Sequence, residues 1–199
     1  GCEASIYRLL RQSEVMVLNL FNTIRKRSDE ELMKRVSADA DERAFNELYR
    51  RHARRLQGFF FRMLGGNNDL AADFVQEVFL RLWSARTKYR EGDCFSTWMF
   101  SMAYNLCKNE YRRQSRCIIE SVEEDEGQAL ELTYEEDFEL QMDVDTLDRL
   151  LREELQQLPS DSRLLFALRY EEELTVPQIA EIIGVPEGTV KSRLNRLMG

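Results

Sequence analysis

Hydrophobic side chains recur along this chain at helical spacing. Between residues 71 and 83, apolar residues three and four positions apart define one face of a helix, namely Ala71, Phe74, Val75, Val78 and Leu82. Another face of the same helix carries Asp73, Gln76, Glu77 and Arg81. No stretch shows the two-residue alternation typical of a strand, so the pattern predicts an all-α fold. Taken alone, the polar face is explained as well by simple solvation as by a binding role.

A second amphipathic helix of different character follows the loop 89–94 and covers residues 95–116, with Ser96 as the predicted N-cap. Aromatic residues fill its first half, and its end is basic, with Lys108, Arg112, Arg113 and Arg116. Rings that stack on unpaired bases, beside cations that neutralise phosphates, suit single-stranded nucleic acid. A core helix with a cationic last turn, favoured by the helix dipole, explains the same pattern. The residues alone leave both interpretations open.

Upstream, the pattern predicts the rest of a helical bundle. Ser28 and Glu31 are spaced as a capping box, which predicts that a helix begins there. A long helix from about 42 to 64 supplies core residues, Tyr49 among them, and ends at Gly65-Gly66. We expect His52, set among arginines, to lie on its surface. Residues 1–28 are helix-compatible and are read as an additional helix.

From residue 144 the helical spacing resumes and is closed by Pro159. The segment 175–197 then has the pattern of a helix-turn-helix: small Ala180 where the helices cross, Gly184 for a positive φ in the turn, and Pro186 near the second helix start. An αα-hairpin without a DNA role is the alternative. The more exposed positions of the second helix are Glu187, Thr189, Lys191, Ser192, Asn195 and Arg196.

The formal net charge of −8 is unevenly distributed. Residues 1–28 and 29–116 each carry +3, residues 117–143 carry −11, and residues 144–199 carry −3. The overall acidity therefore says little about DNA affinity, because two stretches are mildly basic. An acidic run without Lys or Arg repels itself, so 117–143 is predicted to be a flexible linker.

Several function classes find little support. The four cysteines are too far apart for a paired-cysteine zinc site, and there is one histidine. The sequence has no glycine-rich phosphate loop and no nucleophile–base pair, so we expect neither an enzyme nor a bound cofactor. No apolar run approaches the ~18 residues of a membrane span, and no signal-peptide cleavage site is evident. We expect a cytoplasmic protein.

Two motif blocks carry a family resemblance. The run DFVQEVFLRLW, followed by YREGDCFSTWMFSMAYNLCKNEYRR, resembles region 2 of bacterial RNA polymerase sigma factors, most of all the extracytoplasmic-function (ECF) group. The block TVPQIAEIIGVPEGTVKSRLNRL resembles region 4, and the order matches. The resemblance implies region 2 at 29–116, an acidic linker at 117–143 and region 4 at 144–199, after an N-terminal helical extension at 1–28.

The resemblance also implies roles for particular residues. Those that would bind polymerase are Asp73, Gln76, Glu77 and Arg81. Those at the minus-ten element would be Tyr89, Arg90, Gly92, Asp93, Phe95, Trp98, Asn105, Lys108, Asn109, Arg112 and Arg113. Those at the minus-thirty-five element would be Glu187, Thr189, Lys191, Ser192, Arg193 and Arg196. The implied partners are core RNA polymerase (β′ clamp and β flap), promoter DNA and an anti-sigma factor, with no small-molecule substrate.

Two other functions stay open at this level. A helix-turn-helix regulator would bind DNA without polymerase, and its Gln76 and Glu77 would be merely solvated. An interaction module would exist to be held by an inhibitory partner, with residues 1–28 as a candidate extra contact. Loss of transcription on substituting Gln76 and Glu77 separates the first from a sigma factor, and deletion of 1–28 tests the second.

Overall fold

The computed structural model describes the backbone of residues 24–121 and 157–198, and the side chains of 24–114 and 157–197. Regular structure within these ranges is helical throughout. Our expectations for residues 1–23, for most of the acidic linker and for the helix before Pro159 lie outside the described residues.

The helices are α1 (Asp29–Asp39), α2 (Glu42–Met63), α3 (Asn68–Ser84), α4 (Phe95–Ser121), α5 (Ser160–Phe166), α6 (Val176–Ile183) and α7 (Glu187–Met198), with a 3-10 turn at Arg86–Lys88 and a π-helical turn at Ala167–Glu171. Among these helices, none is both long and apolar enough to cross a bilayer.

Local sequence signals set most of the helix ends. The capping box is confirmed: the Glu31 amide donates to Ser28 Oγ at 3.2 Å, and the Ser28 amide donates to Glu31 Oε2 at 3.0 Å. Asn67 caps α3 by accepting from the Leu70 amide at 2.9 Å. The prediction for Ser96 is wrong, because α4 begins at Phe95 and Ser96 lies inside its first turn. Gly184 takes the predicted left-handed conformation in the turn between α6 and α7, with φ of 76°.

The core of the N-terminal bundle, residues 24–121, is built around the apolar face of α2. Phe59 and Phe60 are fully buried on this helix. The Phe59 ring meets Phe100 of α4 edge-on at 5.4 Å, and the Phe60 ring meets Phe74 of α3 in the same way at 5.4 Å. Full burial of one such ring contributes roughly 1.5–3 kcal/mol. These contacts fix α3 and α4 on α2 and so determine which of their faces remain exposed.

Two expectations for α2 are corrected. Tyr49, expected in the core, is 42% exposed and covers Phe79 with its ring at 4.7 Å. His52, expected at the surface, is only 3% exposed, and its Nε2 lies 2.6 Å from Asp29 Oδ2. The reason is the packing of α1 against α2, which brings a carboxylate from the first turn of α1 onto the imidazole.

An ionic network extends this contact. Arg51 donates to Asp29 Oδ1 at 2.7 Å and to Glu47 Oε1 at 2.8 Å, and Arg50 makes two further bonds to Glu47. Burial raises the pKa of Asp29, but the hydrogen bonds from His52 and Arg51 outweigh it and leave the pKa below its ordinary value. Hydrogen bonds from Arg50 are the main reason that the pKa of Glu47 falls to about 2.

This network makes the stability of the bundle sensitive to acid. A carboxylate with a lowered pKa stabilises the folded state above its ordinary pKa, and that contribution is lost as pH falls through the folded value. For Glu47 the window runs from 4.5 down to about 2. We expect Glu47→Gln to lower the free energy of unfolding at pH 7 by about 1.5–3 kcal/mol, and the difference to shrink within this window. Urea unfolding across pH measures it, with the exposed Glu181→Gln as the control; a difference that does not change with pH would contradict the expectation.

The C-terminal unit, residues 157–198, docks on the N-terminal bundle. Helix α6 packs against α4, and α5 packs against α2. The central contact is an ion pair in which Arg55 Nη2 lies 2.9 Å from Glu172 Oε2. Glu172 is 5% exposed, and this burial is the main reason that its pKa is raised, while Arg55 acts in the opposite direction. A second pair joins Arg62 Nε to Glu171 Oε2 at 2.5 Å.

Removing Arg55 is expected to loosen the docking, because it leaves the buried Glu172 carboxylate without its cation. The cost of an unsatisfied buried polar group is about 1–3 kcal/mol. We expect Arg55→Ala to increase the radius of gyration measured by small-angle X-ray scattering, and Arg55→Ala with Glu172→Ala to restore part of the compaction. The exposed neighbour Arg54 provides the matched control. Equal radii for Arg54→Ala and Arg55→Ala would show that the pair does not hold the units together.

Candidate polymerase and nucleic-acid interfaces

Helix α3 presents its four predicted polar residues on one side. Its buried apolar residues pack in the bundle with α2 and α4. At 100° per residue the four polar residues fall within a sector of about 140°. Asp73 and Gln76 are exposed, and Glu77 pairs with Arg81 at 2.6 Å, each side chain a little over 40% exposed. A surface ion pair of this kind contributes little to stability, which leaves both charges available to a partner.

The loop before α4 is an ordered turn that is held by its own hydrogen bonds. The Tyr89 hydroxyl donates to the Asp93 carbonyl at 2.6 Å, and the Arg90 amide donates to Asp93 Oδ2 at 2.9 Å. Gly92 takes φ of 97°, a conformation that favours glycine. The Tyr89 ring packs on Trp98 with centroids 5.3 Å apart. Desolvation by burial is the largest of the causes that raise the pKa of Tyr89, so the phenol stays a neutral donor.

Not every predicted residue of this loop reaches the surface. Phe95 is fully buried and Tyr89 is 8% exposed, so both support the loop from beneath. Arg90 and Gly92 are exposed, and Asp93 and Trp98 are half-buried. The structure thus separates the predicted set into supporting residues and residues that a ligand can touch.

Helix α1 positions this loop, a role that the sequence analysis missed. Lys34 Nζ lies 2.6 Å from Glu91 Oε1, and the Phe95 amide donates to Glu30 Oε1 at 3.3 Å. These partners are separated by 57 and 65 residues, so no local spacing signals them. Only the packing of α1 in the bundle brings them together.

Helix α4 carries the remaining predicted minus-ten residues on one exposed stripe. Asn105, Lys108, Asn109, Arg112 and Arg113 are all exposed and fall within about 140° of one another. Arg113 also donates to Glu110 at 2.6 Å, and the Lys108 ammonium lies 5.9 Å from the Tyr104 ring centroid. At its end this stripe borders a cleft of about 680 Å³ whose other wall is the start of α5.

The C-terminal unit, which resembles region 4, also contacts the loop 89–94. Gln178 of α6 donates from Nε2 to Cys94 Sγ at 3.1 Å. Cys94 lies between the exposed turn of the loop and the first residue of α4. In the docked arrangement, therefore, the first helix of the helix-turn-helix touches the loop that the resemblance assigns to the minus-ten element.

On α7, the six predicted residues do not share a single face. Val190 and Leu194 are buried, and opposite them lie Thr189, Ser192 and Arg196. Glu187 and Lys191 form one flank, with their charged atoms 3.7 Å apart. Arg193 lies on the other flank, half-buried, 3.9 Å from Asp161 of α5. The central stripe is the part of the helix that is best placed to enter a groove.

Comparison with known proteins identifies the family. Residues 48–117 match the model of Sigma-70 region 2, and residues 148–198 match that of Sigma-70, region 4. The ECF RNA polymerase sigma-E factor of Haemophilus influenzae is 31% identical over 85% of this chain and 90% of its own length. The RNA polymerase sigma-H factor of Pseudomonas aeruginosa is 31% identical over 84% of this chain and 89% of its own. The chain belongs to the ECF sigma factors.

Two solved structures share the fold of this ECF sigma factor. CnrH, solved with the cytosolic domain of CnrY, superposes with a TM-score of 0.61 at 22% identity, over 85% of this chain and 92% of that one. RpoE of Bartonella quintana, solved with the anti-sigma factor NepR, gives 0.60 at 20% identity, over 77% and 91%. As a sigma factor, the protein binds core RNA polymerase and directs it to promoters. In the described ranges no three His, Cys, Asp or Glu side chains are grouped to hold a metal.

Two arginines of α7 carry the same charge but lie on different parts of the helix surface. Arg196 lies on the central stripe, whereas Arg193 is directed towards Asp161. We expect Arg196→Ala to weaken holoenzyme binding to a promoter fragment more than Arg193→Ala does. If Arg196 binds a phosphate, its loss reduces the slope of log affinity against log salt by about 1. Filter binding over a salt series measures both effects, and a larger effect of Arg193→Ala would show that the helix lies in the groove in another orientation.

Proposed function

We propose that α3 is the surface by which this sigma factor binds the β′ clamp of core polymerase. The observation that carries this proposal is the exposure of Asp73, Gln76, Glu77 and Arg81 together, on a helix whose opposite face is in the core. Carboxylate, amide and guanidinium groups within two turns provide both donors and acceptors. Charge-assisted hydrogen bonds from such a set fix orientation as well as affinity.

The loop 89–94 and the exposed stripe of α4 would act on the minus-ten element. The hydrogen bonds of Asp93 hold the turn before DNA arrives, so little ordering is needed on binding. Unstacking one base costs a few kcal/mol, and a preformed site for the extruded base lowers the barrier to opening by favouring that state. Asn105, Lys108 and Asn109 then follow the strand, by base edge and by phosphate.

Region 4 would bind the minus-thirty-five element through α7 in the major groove. The central stripe supplies Thr189, Ser192 and Arg196, while Lys191 and Arg193 reach the backbone from the flanks. The domain boundaries at 29, 117 and 144 follow from the resemblance, and α4 continues past the second of them, to Ser121. As an initiation factor the protein needs no catalytic group of its own, and we place it in the cytoplasm, where it meets core polymerase.

We further propose control by an anti-sigma factor. The Bartonella sigma factor that shares this fold was solved with one. Here the exposed face of α3 is a target that such a partner must cover to keep the factor from polymerase. Residues 1–28 remain a candidate additional contact for it.

Transcription in vitro tests the polymerase-binding proposal. Purified protein and bacterial core polymerase are supplied with a pool of promoter fragments, beside the Gln76→Ala/Glu77→Ala variant. We expect specific transcripts that require the protein and that fall at least tenfold in the variant, since two charge-assisted or amide hydrogen bonds of about 1–3 kcal/mol are lost.

Two variants outside the proposed surface serve as controls. Glu181→Ala removes an exposed carboxylate from α6, and Gln57→Ala removes an exposed amide from α2. Both should transcribe as the wild type does. Transcripts that are unaffected by the α3 substitutions would place the polymerase contact elsewhere, and the absence of any transcript would favour a DNA-binding regulator that acts without polymerase.

A further inference from the structure

One exposed apolar side chain lies within the polar face of α3, and another borders it from α2. Large hydrophobic residues that remain exposed in the described part of the chain are Tyr49, Leu80 and Tyr170, at 42%, 63% and 43%. Tyr170 belongs to the C-terminal unit. Tyr49 and Leu80 lie on adjacent helices of the bundle, next to the residues proposed to bind polymerase.

Helix geometry places Gln76 between them. At 100° per residue, Gln76 lies about 60° around α3 from Phe79, and Leu80 lies about 40° beyond Gln76. The Tyr49 ring covers Phe79 at 4.7 Å, so Tyr49 marks one border of Gln76 and Leu80 marks the other. Glu77 and Arg81 follow on the far side of Leu80. The surface therefore alternates apolar and polar groups across two helices.

No other part of the described chain covers this surface. Helix α3 packs against α2, α4 and the 3-10 turn, whereas the C-terminal unit docks on α2 and α4 through Arg55, Arg62 and Cys94. Leu80 is 63% exposed with that unit docked. As far as the described residues are concerned, the docked arrangement leaves this surface open to a partner.

We propose that Tyr49 and Leu80 are the apolar centre of the polymerase-binding surface, and that this surface extends from α3 onto α2. The inference rests on the proposed function, because it takes core polymerase as the partner. It adds two residues to which the resemblance assigned no role. The partner surface must then hold an apolar recess beside groups that pair with Gln76 and Glu77.

Energetics favour this assignment over a purely polar contact. Exposed ion pairs such as Glu77–Arg81 contribute little by themselves, since water and salt compete for them. Burying a tyrosine ring and a leucine removes apolar area from water. It also excludes water from the neighbouring hydrogen bonds that Gln76 and Glu77 would make with the partner. Aromatic residues at interface centres are frequent among those whose truncation is most costly.

The test measures affinity of the full chain for core polymerase. Fluorescence anisotropy of labelled protein, titrated with core enzyme, compares the wild type with Leu80→Ala and with Tyr49→Ala. We expect each truncation to weaken binding about tenfold or more, as for residues at the centre of an interface. Leu80→Met and Tyr49→Phe retain apolar area and should restore most of the affinity.

Salt dependence distinguishes an apolar contact from an indirect electrostatic effect. The Debye length falls from about 10 Å at 0.1 M to about 3 Å at 1 M, so charge contributions weaken as salt is raised. The fold-loss caused by Leu80→Ala should remain constant over the salt series, while that caused by Glu77→Ala shrinks.

Controls address folding and specificity. Gln57→Ala changes an exposed residue of α2 about 12 Å along the helix from Tyr49 and should bind as the wild type does. Tyr49→Ala also removes the ring contact with Phe79, and thermal unfolding shows whether this loss destabilises the fold. Leu80 is mostly exposed, so Leu80→Ala is expected to leave the stability of the fold unchanged.

The outcomes separate this inference from the proposed function. Wild-type affinity in Leu80→Ala and Tyr49→Ala, with loss in Gln76→Ala/Glu77→Ala, overturns the apolar centre but leaves the polymerase-binding face in place. Wild-type affinity in all these variants overturns both. Loss in the apolar variants that Leu80→Met and Tyr49→Phe restore supports the inference.

Discussion

Each helix of the N-terminal bundle can bury only one face. This constraint determines which surfaces of the bundle remain exposed to bind partners. The apolar side of α2, with Phe59 and Phe60, takes up the apolar sides of α3 and α4. Those two helices must therefore expose their opposite sides. The exposed side of α3 carries the proposed polymerase contact, and the exposed side of α4 carries the proposed DNA contact. Packing of the core thus sets the angle between the two binding surfaces.

A second constraint follows from the docking of region 4. The minus-ten and minus-thirty-five promoter elements are centred about 25 base pairs apart, which corresponds to about 85 Å along B-form DNA. A compact chain of this length has a radius of gyration of about 16 Å, too small to span them. We infer that Arg55–Glu172 and Gln178–Cys94 break before both elements are bound. No described part of the docked chain covers the surface around Gln76 and Leu80, so we expect that polymerase can bind first and that the domains can then separate on it.

Sequence reasoning succeeded where the determinants are local. The Ser28–Glu31 capping box, the Gly184 turn and the polar face of α3 depend on spacings of a few residues, and the structure confirms all of them. Sequence reasoning failed where the position of a side chain depends on a residue far away in the chain. His52 is buried because Asp29 reaches it from another helix, and the loop is held by Glu30 and Lys34. Phe95 was assigned to DNA by motif position, yet its side chain is in the core.

The central claim is a division of labour, in which α3 binds polymerase and α4 opens DNA. Its most direct test measures both steps on one variant, Asn105→Ala/Lys108→Ala. Core affinity is measured by anisotropy, and promoter opening by the fluorescence of 2-aminopurine placed in the minus-ten element. The expected result is wild-type affinity for core enzyme together with slow or absent opening. Affinity that falls as far as opening does, or opening at the wild-type rate, would contradict the division.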